Sequence, residues 1–380
     1  MKYVIVRCED GARRDRVPTP LLESAKTVHL QHLAHAGAAG VLHPYGNDPR
    51  VDRFEFHRAL CGLAPDEPSA TPAQCYAAAA KLQLTEQDTA WCCEFMTHRD
   101  GTIVDSSAGN IPTKESEVLV RALNERLSST GLRWELGRGP HHILVARDES
   151  LRPQAPGLLR GSELLVGRPW KQFLPSGSLG EALTDVLEAS ARVLEEHPVN
   201  RVRIDLGENP ANMLWLWGAA AQAAAPIRQR EKQAGAVVSN SFALQGFAAC
   251  LGLDWRPGPI SFEEPALRDL MRGLATLVER RERIYLHMQV DSPDPVERLC
   301  AMERIDQVLL KPLTDLLPRL GAWRLLVAMD DCADGSVPFV AIGTGLPKHP
   351  AARLDRATLQ HTPLSFDRSG ELHAWWTGSC

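Results

Sequence analysis

The sequence predicts an α/β fold: a mostly parallel sheet with helices on both faces, and a smaller α+β domain inserted into it. Three features predict this. Short apolar runs of strand length recur from one end of the 380 residues to the other. In the second half they alternate with amphipathic stretches of helical spacing, the signature of strands buried on both faces and joined by helices. Two zones rich in proline and small polar residues, Ala64–Pro72 and Pro153–Ser178, bracket a compact segment with strands of its own. That division assigns 1–75 and 176–380 to the core domain and 76–175 to the insert.

The elements follow in order. Tyr3–Arg7 reads as a buried first strand, and Leu21–Ala36 has helical spacing with Gly37 as its stop. In the insert, Trp91–Met96, Ile103–Val104 and Ile143–Ala146 read as strands, and Glu115–Leu127 as a polar-faced helix. Leu183–Leu194 is an amphipathic helix. In Pro210-Ala-Asn-Met-Leu-Trp-Leu-Trp-Gly218 two tryptophans flank one leucine in an apolar run that stops at glycine. That is the pattern of a buried strand feeding a tight turn, with Trp215 and Trp217 on one face and in the core. Beyond it, Ala236–Val238, Ile284–Val290, Leu325–Ala328 and Val337–Ile342 read as strands. Phe242–Leu251, Leu267–Leu277 and Val296–Leu310 read as helices. In such sheets ligands bind outside the carboxyl ends of the strands, so the residues after each strand carry the functional question.

Composition narrows the classes. The net charge of -5 leaves no basic footprint for nucleic acid. No run of about 18 apolar residues suits a membrane span, and Met1–Val6 reads as a strand rather than a signal peptide. A cytoplasmic protein is expected. The nine cysteines are scattered without a Cys-x-x-Cys pair, so they read as small buried hydrophobes rather than a disulfide framework or a zinc site. Cys92 and Cys93 point to opposite faces of their strand, which puts one of them in the core. His29, His32 and His35 recur every third residue with His43 beyond; this spacing reads as a solvated helix face, since metal ligation favours four. Trp375-Trp376 is expected to dock the C-terminal end.

A series of short motifs in a fixed order resembles the archaeal-type cofactor-independent phosphoglycerate mutases of the alkaline phosphatase superfamily. The series runs through Met1-Lys-Tyr-Val-Ile-Val6 with Asp10-Gly11, Thr19-Pro-Leu-Leu-Glu-Ser-Ala25 and Leu33-Ala-His-Ala-Gly37. It continues with Ile103-Val-Asp-Ser-Ser-Ala-Gly109, Ala122-Leu-Asn-Glu-Arg-Leu127 and His197-Pro-Val-Asn-Arg201. The Pro210–Gly218 run, Glu303-Arg-Ile-Asp306 and Val337-Pro-Phe-Val340 complete it. The resemblance implies an alkaline phosphatase-like three-layer αβα core with a cap domain. It also implies chemistry on two manganese or magnesium ions and a serine that takes up the phosphoryl group.

Against that pattern the chain departs at the reacting groups. Asp10 matches the first metal ligand. Counting back from Leu60-Cys-Gly62 puts Arg53 at the serine position, and no serine lies between Gly46 and Pro68. The strand that ends in histidine falls at His287, with Asp291 in the loop beyond it and no second histidine. The late Asp-His pair reads Asp330-Asp331, and only Cys332-Ala-Asp-Gly-Ser336 separates it from Val337, so a histidine-bearing loop is missing. The cap's Pro-His-Asp motif reads Ser162-Glu-Leu164, and a lysine position holds Gln245. His142 matches a histidine that faces the phosphate in the family, and Asp105 and Ser106 match residues at the cleft edge.

The leading expectation is therefore a diverged homologue without ordinary mutase activity, because catalytic ligands must sit within a fraction of an ångström of their places. Its residual cleft comprises Asp10, Arg53, His142, His287 and Asp291. The expected ligand is a phosphorylated small molecule or another anion; a protein partner or a second copy of the chain is the other open partner, and no nucleic acid or membrane is expected. No cofactor is expected beyond, at most, one divalent cation (magnesium, manganese or calcium) on Asp10, Asp330 and Asp331. The competing arrangement pairs those carboxylates with Arg13, Arg14, Arg16 and Arg53. Two alternatives stay open: an active metal-dependent mutase interconverting 3-phosphoglycerate and 2-phosphoglycerate, and a related phosphotransferase acting on a hydroxy amino acid.

Overall fold

The computed structural model describes residues 1–10, 21–43, 53–61, 70–127, 131–154, 159, 161–221, 235–259, 261–290, 292, 294–330, 336–360 and 362–378. The chain begins with β1 (Lys2–Asp10), α1 (Leu21–Ser24), α2 (Val28–Ala36), β2 (Ala38–Leu42), α3 (Arg53–Leu60) and α4 (Pro72–Ala79). Next come β3 (Thr89–Arg99), β4 (Thr102–Asp105), α5 (Thr113–Leu127), β5 (Leu132–Arg138) and β6 (His141–Ala146). Then follow α6 (Ser178–Glu195), α7 (Pro198–Asp205), β7 (Met213–Ala221), β8 (Gly235–Val238), α8 (Phe242–Leu251) and β9 (Asp254–Arg256). The last part holds α9 (Glu264–Arg280), β10 (Arg283–Val290), α10 (Pro295–Arg304), α11 (Lys311–Leu316) and β11 (Trp323–Asp330). It ends with β12 (Val337–Gly343), α12 (Arg356–Leu359), β13 (Ser365–Phe366) and α13 (Ser369–Thr377).

Two compact units emerge: Met1–Glu67, Glu231–Ser241 and Gly252–Cys380 form the first, and Pro68–Arg230 with Phe242–Leu251 the second. The first is built on an eight-stranded sheet in the order β13-β2-β12-β11-β1-β10-β8-β9. Only β12 runs against the rest. This is the mostly parallel α/β core that the sequence predicts. Alternation along the strands separates two faces. Val4, Val6 and Cys8 of β1, with Leu286 and Met288 of β10 and Leu325 and Val327 of β11, enter an apolar core with Leu30, Leu33, Leu274 and Leu309 from helices. On the other face, Arg7 lies under Phe56 of α3, and α13 brings Trp376 edge-on to Tyr3, with ring centroids 5.4 Å apart. The expected docking of the C-terminal tryptophans is observed.

Two predicted helices are more broken than their periodicity suggests. The Leu21–Ala36 stretch divides at Ala25–Thr27. The break frees the first N–H groups of α2 to bond to Asp306, whose carboxylate accepts from His29 (2.9 Å) and Leu30 (2.7 Å). The 296–310 helix turns π-helical over Ile305–Leu310, shortly before Pro312, whose ring disturbs the preceding turn. His32, His35 and His43 are exposed, as a solvated face requires, and His29 is half-buried.

The second unit is an antiparallel sheet, β4-β3-β6-β5, with β7 on the other side of β3. The Trp-Leu-Trp strand thus joins this sheet and not the parallel one, where its position in sequence had suggested it belonged. Its register sets Trp215 opposite Glu94 and Trp217 opposite Cys92. Both tryptophans are buried, as expected. The strand does not stop at Gly218 but continues to Ala221. Gly218 has φ +60° opposite an irregularity in β3, and a Cβ there would lie 2.7 Å from Pro72, so the glycine marks a bulge and not a turn. Helices cover both faces of this sheet, which is why Cys92 and Cys93 are both buried, where alternation on a one-sided sheet predicted one. The unit takes in α6, α7, β7 and α8, so its limits differ from the 76–175 insert expected from loop composition. Among the described residues no helix is long and apolar enough to cross a membrane.

Candidate functional site

In the first unit β1, β8, β10 and β11 are parallel and end at one edge of the sheet. Alternation sends Arg7 and Glu9 of β1, and Tyr285 and His287 of β10, to the face covered by α3. All four are buried. Glu9 is the centre. Its Oε1 lies 3.5 Å from an Arg7 guanidinium nitrogen and 3.5 Å from His57 Nε2, and its Oε2 lies 3.4 Å from His287 Nε2. Each imidazole is held from behind. His57 Nδ1 pairs with the Tyr285 hydroxyl at 2.6 Å, and His287 Nδ1 with Ser239 Oγ at 2.9 Å, just after β8. Ser239 in turn accepts the Ser241 N–H at 3.0 Å.

The electrostatics favour a charged carboxylate. Burial pushes the Glu9 carboxyl up, but His287 by charge and hydrogen bond, then Arg7 and His57 by charge, outweigh it and hold it well below the ordinary range. Arg7 also stacks on Phe56, 4.4 Å from the ring centre, which fixes the guanidinium beside Glu9. Next to it Cys8 faces the opposite, apolar side, where burial pushes its thiol up to about 12. That thiol is not a nucleophile at neutral pH.

The donor set fits one divalent cation. Glu9, His57 and His287 each offer a ligand atom, and these atoms lie within 4.8 Å of one another. Hydrogen bonds at both Nδ1 atoms leave both Nε2 atoms facing the carboxylate, the orientation metal-binding histidines adopt. Two imidazoles and one carboxylate suit manganese, iron or zinc better than calcium. Arg7 opposes such binding, because a cation beside Glu9 would share the carboxylate with a fixed positive charge.

His287, one of the residues the sequence assigned to the residual cleft, lies beside Glu9. Asp10 ends β1 opposite Val290, and Asp330 ends β11 opposite Glu9, so their backbones reach the same edge. The side chains of Asp10, Asp330 and Arg53, and the residues Asp291 and Asp331, lie outside the described residues, as do Arg13, Arg14 and Arg16. His142 is in the second unit. Burial first, then the charge of His141, pushes its pKa down to about 3. It is a neutral imidazole edge-on to Phe95, with Nδ1 accepting the Gly137 N–H.

Other residues of the second unit make a separate polar network. Glu94 is buried and accepts from the Tyr76 hydroxyl (3.0 Å), His141 (3.0 Å) and Ser162 Oγ (2.5 Å). Burial alone would raise its carboxyl, and these bonds bring it below the ordinary value. Asp105 shapes its own loop, taking N–H groups of Ser107 and Gly109 and the Asn209 amide, each at 2.8 Å. Gln245 accepts from Arg138 at 2.7 Å.

Sequence reasoning missed Glu9, His57, Tyr285 and Ser239. The signal for Glu9 was present: it adjoins Asp10 with the opposite strand parity. No local signal marks the others, which meet through tertiary contacts.

Comparison with known proteins adds ancestry. The family model for 2,3-bisphosphoglycerate-independent phosphoglycerate mutase matches residues 34–200. A protein of that name from Methanothrix thermoacetophila is 30% identical, over 91% of this chain and 92% of the relative. A probable enzyme of the same name from Geobacter sulfurreducens is 26% identical, over 90% of each chain. Among solved structures, a cofactor-independent phosphoglycerate mutase from Thermoplasma acidophilum aligns over 100% of both chains, with TM-score 0.56 and 21% identity. The PH0037 protein from Pyrococcus horikoshii aligns over 99% of this chain and 96% of its own, with TM-score 0.65 and 18% identity. These structures share the fold.

Proposed function

We propose that this chain, which belongs to the 2,3-bisphosphoglycerate-independent phosphoglycerate mutase family, is a diverged member that no longer interconverts phosphoglycerates and serves as a binding protein for a phosphorylated small molecule or another anion. The observation that carries this reading is the Arg7 guanidinium, 3.5 Å from the Glu9 carboxylate inside the buried cluster. A two-metal centre needs carboxylates free to neutralise four positive charges. Here the described carboxylate is already shared among an arginine and two histidines. The sequence adds support, since no serine or threonine lies between Gly46 and Pro68 to take up a phosphoryl group.

Within this reading the residues of the chain have definite roles. Tyr285 and Ser239 orient the two imidazoles, and His287, with Arg7 and His57, keeps Glu9 ionised. Glu9, His57 and His287 are the residues that would hold a single cation. A cation there would supply a Lewis acid for a phosphoryl or water oxygen.

The test is metal analysis of the purified protein after exposure to excess manganese and dialysis, together with turnover of 3-phosphoglycerate in the presence of manganese. At most one equivalent of metal and no turnover are expected. About two equivalents with turnover would replace this reading with that of an active mutase, the activity named for its relatives.

A further inference from the structure

The edge of the sheet opposite the Glu9 cluster, where β1, β8 and β10 begin, holds a small, open-mouthed recess of about 50 Å³. Its walls are apolar and aromatic: Tyr3, Tyr285 and Trp376 stand around it, and Leu60 of α3 forms part of the lining. Tyr3 and Trp376 meet edge to face, with centroids 5.4 Å apart, so two of the rings brace each other. Two basic side chains line the recess, Arg283 and His373, and none of the described lining residues is acidic. Burial, with the charge of Arg283 added, pushes the His373 pKa down to about 4, so it is neutral at physiological pH.

Arg283 is thus the one formal charge among the described residues of the lining. It is exposed, lies 5.8 Å from the Tyr3 ring centre, and makes no ion pair among the described residues. A cationic ligand would meet its repulsion. A carboxylate can take the guanidinium in a charge-assisted pair while its body packs on the rings. We propose that this recess is a binding site for a small carboxylate with a flat apolar body, distinct from the Glu9 cluster. Tyr285 lines the recess while its hydroxyl holds His57, so the two sites share one residue. The proposal does not depend on whether the cluster binds a cation or the protein turns over phosphoglycerate.

Phenylacetate is the probe, read by the Trp376 indole N–H resonance in a ¹⁵N-labelled protein and assigned with Trp376→Phe. Phenethylamine and 2-phenylethanol present the same ring with a positive or no charge. A saturable shift with phenylacetate is expected, and binding of the amine and the alcohol weaker by about tenfold or more. Arg283→Gln should weaken phenylacetate binding by about tenfold, and Arg283→Lys by less. No saturable shift, equal binding of the amine or the alcohol, or an unchanged Arg283→Gln would each overturn the proposal. Arg283 is exposed, and circular dichroism of both variants verifies that each is folded before it is titrated.

Discussion

Glu9 depends on its neighbours for its charge, and that dependence has a direction. Its carboxyl is held below the usual value by His287, Arg7 and His57 against the opposing effect of burial. The fold therefore favours the ionised form. That contribution is complete above the unfolded carboxyl's pKa of about 4.3 and is lost as the pH falls through the folded value. Glu9→Gln should lower the unfolding free energy at neutral pH by about 3–5 kcal/mol, since it leaves the buried Arg7 guanidinium without its anion. Denaturant titrations over a pH series should show the gap between wild type and variant narrowing below about pH 4. A gap that does not change with pH would mean that the charge of Glu9 contributes nothing. The residues of this centre were unequally legible in the sequence. His287 and Asp10 stand in ordered motifs. His57 and Tyr285 are 228 positions apart and Ser239 and His287 are 48 apart, so no local pattern connects them. Glu9 was hidden by its neighbour, because attention to Asp-Gly favours Asp10 while strand parity delivers Glu9 to the histidines.

At the scale of elements, strands were legible as apolar runs, but their partners were not. Met213–Trp217 is apolar on both faces, which suits a parallel core strand and a central antiparallel strand equally. Only its pairing with β3 decides. Helix contacts were less legible still, because close approach depends on single glycines. In α8, a Cβ on Gly246 would lie 1.7 Å from the Cys75 carbonyl oxygen of α4. In α9, Gly273 has no heavy atom within 4 Å of its Cβ position. The same substitution should therefore act in opposite directions. Gly246→Ala must part the two helices and should destabilise the fold by about 3 kcal/mol or more. Gly273→Ala should stabilise it by about 0.5–1 kcal/mol through helix propensity. Thermal melts of the two variants against wild type check both signs, and a neutral Gly246→Ala would show that α4 and α8 do not pack this closely.

At the scale of the whole molecule, the chain crosses between its two units more often than loop composition discloses. Proline-rich zones signalled an inserted segment, but the second unit also recruits α8 from far downstream, between β8 and β9 of the first. The reason lies in α4. Its buried face carries Ala73, Tyr76 and Ala77, and the Tyr76 ring lies 5.2 Å from Phe242, the first residue of α8. Leu244, Phe247 and Ala248 of α8 are buried as well. Without α8 that surface would face water, at a loss of roughly 25 cal/mol for each Å² of apolar area exposed. A fragment spanning 68–230 should therefore lack a cooperative transition and bind a hydrophobic dye, although it contains the entire antiparallel sheet. A fragment extended to 251 carries α8 and should unfold cooperatively, since α4 then has its partner helix. Calorimetry and dye binding of the two fragments decide the matter: if the shorter one melts as sharply as the longer, the sheet and its other helices suffice, and α8 is not what completes the unit.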